Sequence, residues 1–296
     1  MKAPASMMML LALAPALALG QVLVSDSWAD GGRNNGADPL DTSWWTSTAA
    51  NAIEVSPGSL GLVNSASANG NGIHTTFAPQ SLNIGDSLTV TFTFTTPNTV
   101  ATVDLPKYMA LRVGLFDTLG RTGLAADQTA SGASPNYLYN GLPGYWVDWD
   151  VNADTANITF RQHNTAATPG ELLADGNAYP MISAGGSSVY VFAPNTVYTG
   201  LFSVTRTGAN SMLLTGSLAG STYFDTDISG IASTFDMVAF HLMPGAFGAS
   251  TTPGTADNGI DFSNITIMGG AIPEPSSGAV LLGLTAFGWV CFRRRR

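Results

Sequence analysis

The segment GYWVDWDVNAD, residues 144–154, holds the densest set of side chains that could act on a ligand. In an extended chain successive side chains alternate, so Trp146, Asp148 and Asp150 share one face and Tyr145, Val147 and Trp149 the other. Two carboxylates beside an indole are the ingredients of glycoside hydrolysis, which needs an acid and a second carboxylate flanking the bond to be cut. Same-face neighbours on one strand stand about 7 Å apart, yet both reach the substrate from one side. That geometry argues against hydrolysis. The segment also offers oxygens at Asp148, Asp150, Asn152 and Asp154, the ligand type that calcium prefers. An EF-hand loop would place Gly at its sixth position and Glu at its twelfth, where this chain has Ala153 and Thr159. A strand turning through VNADTAN into the next strand is the simpler reading. TADNGID brings Asp257, Asn258 and Asp261 together, either as a cation site or as a polar hairpin turn. Calcium at Asp148, Asp150, Asp257 and Asp261 is the one cofactor left open.

Just upstream, SPNYLYNGLPGYWVDW packs Tyr137, Tyr139, Tyr145, Trp146 and Trp149 among Asn, Gly and Pro. Aromatic faces beside hydrogen-bonding groups can stack on a sugar ring and orient it, so Tyr137, Tyr139, Tyr145 and Trp146 form a candidate glycan platform. The competing reading, core packing plus a turn, is preferred, and Trp44 and Trp45 in SWWTS likewise read as a core strand. Other signals dissolve on inspection. Ser87 in GDSL would need a late His preceded three residues earlier by Asp, and none of His74, His163 and His241 has one. Gly85-Asp86 works instead as a turn that launches a strand. The histidines form no His-x-His or His-Glu-x-x-His pattern, and His241, inside FDMVAFHLM, reads as a sheet histidine. With the only cysteine at Cys291, a thiol nucleophile, a cysteine zinc site and a disulfide are all excluded before the C-terminal tail.

The elements that must position these residues are strands. SLTVTFTFT alternates strictly, with Leu88, Val90, Phe92 and Phe94 on one face and threonines on the other, the signature of a half-buried antiparallel strand. MALRVGLF repeats the pattern, and YWVDWDV, NITFRQH, SVYVF, VYTGLFSVTR, SMLLTGSL, FDMVAFHLM and IDFSNITIM follow, separated by Gly-, Asn- and Pro-rich turns. The chain has 296 residues, 45% hydrophobic and only 10% charged, with 33 Gly and 16 Pro, a composition that suits short strands and tight turns rather than helical bundles. The expectation is an all-β, two-sheet antiparallel jelly-roll sandwich over residues 21–270, with no convincing helix and with residues 25–72 its least regular part.

Both ends read as addresses. Residues 1–20 have a positive start at Lys2, an apolar run and small residues before the cut, the layout of a secretory signal peptide removed by signal peptidase. At the other end Pro273, Glu274 and Pro275 precede an apolar run, 278–292, and Arg293, Arg294, Arg295 and Arg296. As a helix the run would extend roughly 22 Å, short against a hydrocarbon core of about 30 Å but able to span if the arginines snorkel and act as a cytoplasmic stop. Without Lys2 and the tail, six basic groups face nineteen acidic ones, a balance of −13 that repels phosphate backbones and argues against nucleic acid as a partner.

Residues 271–296 resemble the PEP-CTERM sorting signal of Gram-negative bacteria in all three parts and their order. The resemblance implies an exosortase as partner, cleavage near the motif, and passage from an inner-membrane anchor to the cell surface or an exopolysaccharide matrix. The strand order and the closing DNGIDFSNITIMG resemble the concanavalin A-like lectin/glucanase sandwich. Glucanases of that fold use a Glu-x-Asp-x-x-Glu strand; before the tail this chain has only Glu54 and Glu171, in unrelated contexts. The sequence therefore reads as an exported, non-enzymatic surface protein with a structural or adhesive role. The alternative is a lectin-like carbohydrate-binding module, with or without calcium, and behind it a hydrolase at Asp148 and Asp150.

Overall fold

The computed structural model describes residues 20–34, 40–47, 53–64, 70–100, 110–128, 138–151, 158–163, 172–173, 179–186, 192–248 and 258–271. Fifteen strands run in chain order: β1 (Gln21–Asp26), β2 (Trp45–Thr46), β3 (Ile53–Ser56), β4 (Ser59–Val63), β5 (Asn71–Ser81), β6 (Asp86–Thr95), β7 (Ala110–Phe116), β8 (Gly144–Asp150), β9 (Ile158–Gln162), β10 (Met181–Gly185), β11 (Val197–Gly208), β12 (Ser211–Leu218), β13 (Ser221–Asp227), β14 (Thr234–Leu242) and β15 (Gly259–Ala271). They form two antiparallel sheets, as the alternation predicts. The eight-stranded sheet has the order β13-β12-β11-β6-β15-β4-β3, with β1 also paired to β15; the seven-stranded sheet has the order β10-β9-β8-β7-β14-β5-β2. Among the described residues helix is confined to two short 3-10 turns, Thr122–Leu124 and Ala246–Gly248.

The core lies between the sheets. Leu88, Val90, Phe92 and Phe94 of β6 turn inward, while Thr89, Thr91, Thr93 and Thr95 face out. Opposite them Leu111, Val113 and Leu115 of β7 and Tyr145, Val147 and Trp149 of β8 complete the layer. Rings interlock at its centre: Phe92 meets Phe240 edge-on at 5.4 Å and Trp149 at 5.9 Å, and Phe240 packs on Phe262 at 4.9 Å, the offset and edge-to-face contacts that ring quadrupoles favour. Gly200 of β11 makes room for this cluster, since a β-carbon there would lie 2.1 Å from the ring of Phe92.

Two features depart from the sequence expectation. The segment expected to be the least regular contains β2, β3, β4 and the first two residues of β5. Strands β7 and β8 are buried along their whole length on both faces, not half-buried. The cause is a third layer: segments following β7 and β9 fold back over the outer face of the seven-stranded sheet. Leu124, Tyr139, Leu142, Leu172, Leu173 and Tyr179 from those segments join Phe116, Trp146, Met237 and Ala239 of the sheet in a second apolar cluster. Trp44 is fully buried against Trp28 and Phe240, as expected of a core residue, whereas Trp45, in β2, is half-buried.

The last strand is also the most embedded. β15 pairs along one side with β6 and along the other with β4, through Gly259–Phe262, and with β1, through Ile265–Gly269. No helix among the described residues is long and apolar enough to cross a membrane. The expected apolar helix at 278–292, the Pro273-Glu274-Pro275 motif, Arg293–Arg296 and residues 1–19 lie outside the described residues, as does most of SVYVF.

Candidate functional site

The outer face of the seven-stranded sheet is where the sequence placed its chemistry, and alternation along β8 does present Trp146, Asp148 and Asp150 there. The neighbours across the ladder are set by register: Trp146 lies opposite Gly114 and Arg161, and Asp148 opposite Arg112 and Thr159. Asp148 accepts a hydrogen bond at Oδ2 from Arg112 Nε at 3.2 Å, and both side chains are 8% exposed. The Arg112 guanidinium lies 4.5 Å above the Trp146 ring and donates from a terminal nitrogen to the Leu173 carbonyl at 2.7 Å. Arg161 stands on the same indole at 5.9 Å and donates to the Tyr179 carbonyl at 3.0 Å. Burial lowers the Arg161 pKa, with Asp148 and Asp150 acting in the opposite sense. Tyr179 stacks between Trp146, at 4.8 Å, and His163, at 4.6 Å.

This arrangement leaves the aromatic residues no free face. Tyr139, Tyr145 and Trp146 are each 0% exposed, so these three rings do not form a surface on which a sugar could stack; the core-packing reading holds for them. Tyr137 lies outside the described residues. Tyr145 points into the inter-sheet core, where its hydroxyl donates to Asp227 Oδ2 at 2.9 Å and accepts from the Ala232 N–H. Tyr139 donates to His74 Nδ1 at 3.3 Å, and His74 Nε2–H donates to the Leu124 carbonyl at 2.7 Å. Burial holds His74 down at about 4, so it is neutral in this setting. His163 Nδ1–H donates to the Leu142 carbonyl, and burial lowers its pKa as well.

The two candidate cation segments lie on different sheets. Asp148 and Asp150 sit on the seven-stranded sheet, whereas Asp261 belongs to β15 of the other sheet, near Glu54 and Asn258. Burial, with Glu54 adding to it, raises the Asp261 pKa. Asn152, Asp154 and Asp257 lie outside the described residues, and among those described no three metal-ligating side chains cluster. Gly85-Asp86 is the turn foreseen for it: Gly85 has φ +94°, and the Asp86 carboxylate accepts from the Asn83 backbone N–H at 2.8 Å.

Sequence reasoning missed what the arginines do. Arg112 and Arg161 fasten the covering segments as described, and Arg121 donates to the Leu138 and Asn140 carbonyls at 2.7 and 2.6 Å. Arg33 grips Asp127 through two parallel bonds of 2.8 and 2.6 Å, and Asp127 in turn accepts from the Thr46 N–H. Bidentate and charge-assisted bonds of this kind are the strong ones. Their scarcity was the available signal: each of the few arginines among the described residues is engaged by carbonyls or carboxylates of the chain's own segments. Beside this covered face, at the end of the sheet, a cavity of ≈ 490 Å³ opens among Pro143, Gln162, His163, Pro180, Ser229 and Ile231.

Comparison with known proteins agrees at two levels. Residues 271–296 match the PEP-CTERM protein-sorting motif. The whole fold is similar to an endo-1,3-β-glucanase from Streptomyces sioyaensis, at 13% identity and a TM-score of 0.50, over 90% of this chain and 99% of that one. The carbohydrate recognition domain of Emp47p (9% identity, TM-score 0.45, 83% of this chain and 94% of that one) and basic winged bean lectin with Tn-antigen (8%, 0.46, 87% and 100%) are further matches. No curated protein sequence matches. The architecture is thus that of the concanavalin A-like lectin/glucanase sandwich, and the tail is that of an exosortase-sorted, exported protein.

Proposed function

We propose that the sandwich is a non-catalytic structural or adhesive component of the cell surface or extracellular matrix, delivered by cleavage near Pro273-Glu274-Pro275 after export and transient anchoring through 278–292 and Arg293–Arg296. One observation carries the reading: the sheet face that would have to receive a substrate is filled by the protein's own second apolar cluster, with Asp148 engaged by Arg112 beneath it. Hydrolysis needs two carboxylates flanking a reachable bond. Here both candidates lie on one strand, and each is more than nine-tenths buried.

All fifteen strands fall within 21–271, so a chain spanning 21–272 carries the described core and serves for the test. It is mixed with the producer's own exopolysaccharide and with β-glucans, with calcium and with chelator. Retention on the matrix without release of reducing sugar is the expected result. Turnover of any β-glucan would overturn the non-catalytic reading.

A second reading has its own observation. The cavity at Pro143, Gln162, His163, Pro180, Ser229 and Ile231 combines apolar walls with an amide and a hydroxyl, the mixture that sugar-sized sites use. On that reading the module is lectin-like and the ligand enters at the sheet end rather than over Trp146. Saturable binding to one member of a glycan panel, lost in Ser229→Trp with folding intact, supports it; binding lost only on chelation moves the site to the acidic segments, where Asp148 and Asp150 or Asp257 and Asp261 would be the calcium ligands to replace.

A further inference from the structure

Edge strands offer unpaired backbone groups to any passing chain, and folded proteins blunt them with shortness, bulges, proline or cationic side chains. Most edges here are blunted. β2 has two residues, β3 has four and runs directly into Pro57, and both β10 and β1 carry an irregularity in their pairing. β13 is different. It ends the eight-stranded sheet, runs seven residues, pairs with β12 without a register shift, and contains no Lys, Arg or Pro.

The same flank carries the most exposed large apolar side chains of the described surface. Ile228, just beyond β13, is 75% exposed and Phe224, at the middle of β13, is 66% exposed. β10, the edge of the other sheet, lies alongside, with the Tyr223 ring packed over Gly185, and it adds Met181 at 59% exposure.

We propose that β13 is a docking edge for a second copy of this chain, paired antiparallel about Phe224 so that the eight-stranded sheets of two molecules become continuous. The sequence Ser-Thr-Tyr-Phe-Asp-Thr-Asp is self-complementary in that register. Phe224 meets Phe224, Thr222 meets Thr226 and Asp225 lies opposite Tyr223, while Asp227, opposite Ser221, stays buried on its own Tyr145. Aromatic and threonine pairs are among those that stabilise antiparallel neighbours, while directly opposed like charges, which destabilise, do not occur. The two Asp225 side chains fall on a diagonal about 7 Å apart, so association tightens as salt screens them and the molecule's acidic surface. A two-fold contact of this type uses one patch twice and closes on itself. The proposal is independent of whether the molecule binds glycans.

The test uses the full chain in mild detergent, with Cys291→Ser to remove the native thiol. Under mild oxidation Phe224→Cys should give a disulfide-linked dimer. Thr222→Cys should not cross-link with itself but should do so when mixed with Thr226→Cys. Phe224→Lys, which replaces an exposed side chain, should weaken dimerisation at least tenfold by sedimentation while leaving the thermal unfolding midpoint in place. Sedimentation as a monomer across the micromolar range with no Phe224→Cys cross-link would overturn the proposal. So would self-cross-linking of Thr222→Cys as fast as that of Phe224→Cys, which would mark association through another surface.

Discussion

Two buried titratable groups give the fold opposite responses to pH. Burial raises the Asp26 pKa from 3.8 to about 7, helped by the neighbouring Asp41 and opposed by hydrogen bonds from the Trp28 N–H and the Trp44 indole. A carboxyl that is easier to protonate when folded contributes stability below about 3.8, and that contribution is lost as pH rises towards 7. His74 works the other way. Its folded pKa lies near 4 against 6.5 unfolded, so its contribution is present above 6.5 and is lost as pH falls towards 4. Urea unfolding at pH 4 and pH 7 separates them: relative to Asp26→Asn the wild type should lose stability with rising pH, and relative to His74→Gln it should gain. The Arg112–Asp148 pair makes a third prediction at this scale. Asp148→Ala leaves a buried guanidinium uncompensated and should cost about 3–5 kcal/mol, whereas Arg112→Met with Asp148→Leu should cost much less; equal losses in the two variants would show that the pair stabilises in its own right.

At the scale of elements, Gly200→Ala should destabilise by about 1–3 kcal/mol, because β11 must shift or the Phe92 ring must leave its rotamer; chemical denaturation reads the loss directly. What the sequence displayed follows from the same packing. Leu88, Val90, Phe92 and Phe94 alternate with threonine because one face of β6 meets the core and the other meets water, and such a strand is legible at once. β5 was not. Its buried half, Asn71–Thr75, contains Gly, His and Thr, tolerated because Gly72 lets the ring of His241 lie against the backbone, and no alternation of apolar with polar residues survives that accommodation. The candidate site was legible in composition but not in placement. Period-two alternation put Trp146, Asp148 and Asp150 on one face correctly, yet nothing local to β8 announces that Leu173 and Tyr179 will close over that face. The cover is specified by contacts spanning tens of residues, such as Arg112 with Leu173.

For the whole molecule, the absence of any cysteine before Cys291 leaves the sandwich to be held by its two apolar clusters and by arginine clamps. Reducing agent should therefore leave the unfolding midpoint of the 21–272 chain unchanged, and a shift of several degrees would expose a covalent link that the sequence rules out. The position of β15 has a consequence in time. An exported chain emerges from its amino end, and the strand that β6, β4 and β1 all need as a neighbour is the last to arrive. Until Ala271 is clear of the membrane the larger sheet is split, and the core beneath Phe262, Ile265 and Ile267 stays wet. The Pro273-Glu274-Pro275 sequence begins two residues later. On the proposed processing, completion of the fold and presentation of the motif become nearly one event, so that a molecule ready to be cut would be one that has just finished folding.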